Sequence, residues 1–396
     1  MDGTERARGM MAEAGAKGVS RDVTALGATR TLTTVKGGAG SAVGWLALNA
    51  SSRPRAVGGI RCTPDLDARK VSALADAMSW KFAWLGMPMG GAKAGLIEAP
   101  EWTTDTRREA IRAFGRALGP QLRSRMYGAG TDMGFGPEDL WEFQVGAGRV
   151  SGPPPPPSQR GDTGEATALT LAGMLAEAGV RVTSVSNRFT AVHDEAGLDI
   201  PTIRKLRAER GDEGLESYES GTRIEHAELL EMPVDVLIPC AAHWSLNPEN
   251  ADRLQCGSVV SAANCPISPD LGESGLERRG ILVVPDFVAN SGGILYANIP
   301  ASDAGRREIL RTLYPAAVAR LFQVADQTGG SVTDLARAAA VRRTRTVQND
   351  VERARREMEE LDRAFARRRS RMGRRLRGES EGRALARRWL DPGRLA

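Results

Sequence analysis

Residues Pro153 to Pro157 are five consecutive prolines, set in the stretch GRVSGPPPPPSQRGDTG between Gly148 and Gly164. Such a run has no backbone N–H to give to a helix or a central strand, and its fixed φ favours an extended polyproline segment. The chain therefore has to divide here, with a linker over 151–163 and a domain on either side. At 396 residues there is enough chain for two separate cores. A docking motif is the other use of such a run, but the spacing of a ligand-like repeat is missing.

Before the linker, residues 1–40 are rich in glycine, alanine and threonine and show little periodicity, so order is expected from about residue 41. SAVGWLALNAS and AVGGIRC read as strands. After Asp65, a candidate N-cap, the positions Val71, Leu74, Ala75, Met78, Phe82 and Leu85 form one apolar helical stripe. Lys81 stands seven residues after Leu74 and so points along that stripe. An ammonium there either snorkels to water or meets a fixed anion, because burying it unpaired is costly. Lys93 follows in the glycine-rich MPMGGAKAGL, where backbone can approach a ligand closely. Two lysines converging on one cleft would suit a carboxylate and a carbonyl. A further helix is expected over 102–118, and MYGAGTDMG then holds Asp132 in a glycine-rich turn, as a cleft acid or simply a capping residue.

Past the linker, strand-like patches alternate with helices: VRVTSVSN, a helix at 200–210, VDVLIPC, GSVVSAAN and ILVVPDF. That alternation predicts a parallel sheet with crossover helices, the dinucleotide-binding type of domain, over 164–300. Asn264 and Asn290 fall just beyond strand C-termini, where such sheets hold ligands.

The net charge of +5 is uneven: residues 341–396 carry 18 arginines against 9 acidic residues. The segment 349–396 is expected as an arginine-rich helical tail. It is nearly free of aromatics, so a solvated tail is favoured over a nucleic-acid contact, and its stripe Val351, Met358, Leu361 and Phe365 suits self-association or packing on the body. No apolar run reaches the roughly 20 residues of a membrane span, and the N-terminus lacks an apolar signal core, so a cytoplasmic protein without a membrane partner is expected. The four cysteines and three histidines have no metal-ligand spacing.

The strings GGIRCTPD, WKFAWLGMPMGGAKAG and GAGTDMGFGPEDL resemble the signature of the Glu/Leu/Phe/Val amino-acid dehydrogenase family. VDVLIPCAA, NPENADRL, AANCPISPD and GILVVPDFVANSGGI agree with it, and the resemblance runs from about residue 44 to 345. It implies an α/β protein of two domains: a substrate and catalytic domain of dimerisation type at 41–150 and a Rossmann-like domain. C-terminal helices at 301–348 would fold back toward the first. One piece is missing. Between EATA at 165–168 and LAEAGVRVTSVSN, about thirty residues of the family pattern are absent, roughly one βα unit, and no GxGxxG occurs there. That turn is the one whose amides would cradle a cofactor pyrophosphate.

By this resemblance, Lys81 would hold the substrate α-carboxylate, Lys93 would activate the attacking water, and Asp132 would shuttle protons. Thr167, Asn264 and Asn290 match positions near the nicotinamide, though Thr167 is also readable as a cap. Asn187 and Arg188 stand where an acid usually meets the adenosine ribose, so the cofactor is NAD or NADP. Glutamate-specific members carry a lysine at the position of Val57 and a serine at that of Ala297. With Val57, Ile294 and Ala297 as lining, the resemblance implies reversible oxidative deamination of an apolar amino acid of leucine, valine or phenylalanine type by a homo-oligomer. The alternative is a non-catalytic member that binds an amino acid as a regulatory or structural subunit, having lost the cofactor cradle.

Overall fold

The computed structural model describes residues 20–25, 30–36, 42–49, 55–152, 163–241, 243–349, 351–369 and 377–390. The proline run lies outside them. Contacts divide the chain into two compact units, one of residues 1–160, 291–324 and 336–396, the other of 161–290 and 325–335.

The first unit is built on a six-stranded sheet: β1 (Ser20–Ala25), β2 (Arg30–Lys36), β3 (Ala42–Asn49), β4 (Ala56–Thr63), β5 (Gly90–Ile97) and β6 (Tyr127–Gly130), in the order β1-β2-β3-β5-β4-β6. The expectation that order begins near residue 41 is corrected here. The alternating TLTTV of β2 pairs antiparallel with β3, and β1 pairs with β2. β3 runs antiparallel to β5, whereas β4 is parallel to both β5 and β6. Strand period 2 separates two cores. Leu46 and Leu48 pack with Ile111, Phe114 and Phe143 from α2 (Thr104–Arg123) and α3 (Pro137–Gly146), while Trp45 and Ala47 pack with Val71 and Ala75 of α1 (Ala68–Trp84). The N-cap of α1 is Asp67, which accepts from the Lys70 N–H; the expected cap Asp65 instead pairs with Lys70 Nζ at 2.6 Å.

The second unit holds α4 (Thr163–Glu177), β7 (Ser184–Ser186), β8 (Ala191–His193), α5 (Ile200–Arg210), β9 (Thr222–Ile224), β10 (Val234–Leu237), β11 (Cys256–Val260) and β12 (Leu282–Val284). β10, β11 and β12 form a parallel sheet, as expected. The strand from VRVTSVSN does not join it: β7, β8 and β9 form a separate antiparallel sheet. Among the described residues β10 is an edge strand of its sheet, with Val236 47% exposed.

The chain continues through α6 (Gly292–Asn298), α7 (Asp303–Thr328), α8 (Val332–Asn349), α9 (Val351–Arg369) and α10 (Arg377–Trp389). The arginine-rich tail is not simply solvated. Met358, Leu361, Leu385 and Trp389 are buried, and Trp389 lies against Gly86, whose φ of +68° turns the chain at the end of α1. Arg383 pairs with Glu308. No helix among the described residues is long and apolar enough to cross a membrane.

Candidate active site

Two parallel neighbours, β4 and β5, carry the charged centre of the first unit. They approach closely because β4 has glycine where a side chain cannot fit: a Cβ at Gly58 would run into the Ala92 carbonyl. Arg61 projects from β4 and Lys93 from β5, and both are buried. Asp132 follows β6 in a turn closed by two backbone bonds, Asp132 N–H to Phe135 O and Phe135 N–H to Asp132 O. Lys93 Nζ and Arg61 Nε meet the same Asp132 oxygen, Oδ2, the guanidinium at 3.2 Å.

The electrostatics follow from that triangle. Burial alone would push the Asp132 pKa up, but the charges of Lys93 and Arg61 more than offset it and hold the carboxyl at about 2. Burial pushes the Lys93 pKa down; Asp132 opposes this, while Arg61 and Lys81 add to it. Lys81, in the last turn of α1, is only 3% exposed, so its ammonium is not a snorkelling one. Tyr127 donates its O–H to the Gly58 carbonyl at 3.0 Å, and burial, with Asp132, raises its pKa.

Arg61 is inconspicuous in the sequence, one residue of the GGIRC string. Its signal was available: a cation between Ile60 and Cys62 in an otherwise apolar strand demands a buried anion, by the reasoning applied to Lys81. Val57 is half-buried beside Gly128; Ile294 is half-buried and Ala297 exposed, both on α6.

In the second unit, Asn264 and Asn290 come together beyond the carboxyl ends of the parallel strands. Asn290 donates to the carbonyls of Ala262 (3.2 Å) and Ala263 (2.8 Å), and its Oδ1 is buried without a hydrogen-bond partner. Ser261 Oγ is likewise buried and unpartnered. Unfilled polar atoms at this end of a parallel sheet fit the carboxamide of a nicotinamide. The pyrophosphate end does not fit in the same way: no glycine-rich turn joins a strand to a helix among the described residues between 163 and 187. Asn187 closes its own turn, its Oδ1 accepting from the N–H groups of Phe189 and Thr190, and Arg188 lies 4.6 Å over the Phe189 ring. Thr167 lies on α4, its side chain outside those described.

Two family profiles match the chain: "Glu/Leu/Phe/Val dehydrogenase, dimerisation domain" over residues 27–142 and "Glutamate/Leucine/Phenylalanine/Valine dehydrogenase" over 160–350. Glutamate dehydrogenase of Thermotoga maritima is 30% identical over 289 residues, which is 61% of this chain and 68% of that protein. Glutamate dehydrogenase A2 of Halobacterium salinarum is 31% identical over 294 residues, 62% and 68% respectively. A solved glutamate dehydrogenase shares the fold with a TM-score of 0.60 at 13% identity, over 87% of this chain and 89% of that one. The chain thus belongs to the Glu/Leu/Phe/Val dehydrogenase family, NAD(P)-dependent enzymes acting on the CH–NH2 group of amino acids.

Proposed function

We propose that this protein is an L-amino-acid dehydrogenase selective for an apolar amino acid of leucine, valine or phenylalanine type, working as a homo-oligomer. The observation that carries the reading is the grouping of buried Lys81 and Lys93 with an ionised Asp132 in one unit. In this reading Lys81 anchors the α-carboxylate. Lys93, its pKa lowered, takes a proton from the water that adds to the imine carbon, and Asp132 relays protons to and from the amino group. A bound nicotinamide would supply the acceptor for the hydride leaving Cα. Apolar selectivity is supported by Val57 and Ala297, which leave a distal substrate carboxylate without a partner at a cost on the order of several kcal/mol. The curated relatives named above are glutamate dehydrogenases, so substrate choice is the sharper part of the proposal. The dimerisation-domain profile supports the oligomer.

A second reading, a non-catalytic subunit that binds an amino acid, is favoured by one observation: the absence of a pyrophosphate-cradling turn among the described residues. Fluorescence titration with NADH and NADPH separates the two. Saturable binding of either supports the enzyme. No binding by folded protein that still binds leucine overturns it in favour of the subunit.

A further inference from the structure

We propose that Arg61 is a positioning residue of the site, holding the Asp132 carboxylate in place and ionised while Lys93 changes its protonation state. The inference rests on the proton roles given above to Lys93 and Asp132, and it adds a third member that those roles do not include.

The geometry carries it. Arg61 and Lys93 come from adjacent parallel strands and converge on a single oxygen, Asp132 Oδ2, from a side chain that is itself 15% exposed. A lysine–aspartate pair alone in such a place has a defect as a proton relay. When the lysine becomes neutral to act as a base, the carboxylate loses its cation and its own pKa rises, so a proton that Asp132 takes up stays on it instead of being passed on. A guanidinium stays charged across the working pH range. With Arg61 bonded to Oδ2, Asp132 retains a cation whichever state Lys93 is in. The same fixed charge makes deprotonating Lys93 easier.

The other groups facing the pair do not replace it. Lys81, on α1, also disfavours a charged Lys93 but is assigned to the substrate carboxylate. The Tyr127 hydroxyl, on β6, is committed to the Gly58 carbonyl. Arg61 is not assigned to substrate in this account, so its effect is exerted through Asp132 and Lys93.

The test compares wild type with Arg61→Gln and Arg61→Lys. In deamination, kcat/KM is expected to rise through an acid limb that reports neutral Lys93. Arg61→Gln is expected to move that limb upward by about one pH unit or more, as losing a neighbouring charge does. The rate would then fall about tenfold below the limb and recover above it, and Arg61→Lys would return the limb toward wild type. A merely structural role would depress the rate at every pH and leave the limb in place, which overturns the proposal. A second measurement needs no turnover: the ¹³C carboxyl titration of Asp132, assigned with Asp132→Asn. Its midpoint is expected to rise in Arg61→Gln; an unmoved midpoint in folded protein also overturns the proposal. If wild type deaminates no amino acid, the functional reading fails, while the carboxyl titration still decides whether Arg61 controls Asp132.

Discussion

Arg55, the residue before β4, holds Asp362 of α9 through two hydrogen bonds of 3.0 and 3.3 Å, joining positions 307 apart in the chain. The Arg55 carbonyl also accepts from the Gly90 N–H at the start of β5. The arginine-rich tail is thereby tied to the two strands that carry Arg61 and Lys93. Trp389 makes a second attachment at the Gly86 turn, between Lys81 and β5.

These two attachments differ in strength. Both members of the Arg55–Asp362 pair are partly exposed, so Asp362→Ala should cost about 1 kcal/mol or less, measured by urea unfolding. Trp389→Ala removes a fully buried indole and should cost about 3–5 kcal/mol in the same experiment. Equal small losses would mean that the tail does not hold the body.

Asp132→Asn should lower kcat for deamination by about 10²- to 10⁴-fold, the range for losing a positioned acid–base group. It should also change stability against pH. The Asp132 pKa is depressed, so its contribution is complete above the ordinary value of 3.8 and is lost as pH falls toward about 2. The variant should show a shallower loss of stability through that window by acid titration of the fluorescence.

Val57→Lys, alone and with Ala297→Ser, should move specificity toward glutamate. Supplying partners for a distal carboxylate should raise kcat/KM for glutamate relative to leucine by about tenfold or more. A ratio unchanged in both variants would remove Val57 and Ala297 from the specificity pocket.

The sequence carried local order well and long-range pairing poorly. The stripe Val71, Leu74, Ala75, Phe82 announced α1 because helical period is written into consecutive residues. The strands β10, β11 and β12 announced themselves as apolar runs between helices. Arg61 did not, because its meaning lies in Asp132, 71 positions away. The separate sheet of β7, β8 and β9 was hidden for a related reason: pairing depends on which neighbours a strand has in space, which its own residues do not state. The strands at 20–36 are short and stabilised by pairing, β1 with β2 and the threonine-rich β2 with β3, so their composition alone reads as irregular chain.

The most direct test of the account is an initial-rate assay of the purified protein with leucine, valine, phenylalanine and glutamate, each with NAD and with NADP, following formation of the reduced nicotinamide. Turnover of at least one apolar amino acid is expected, abolished in Lys93→Met, with glutamate slower. Turnover of glutamate with none of leucine, valine or phenylalanine would contradict it.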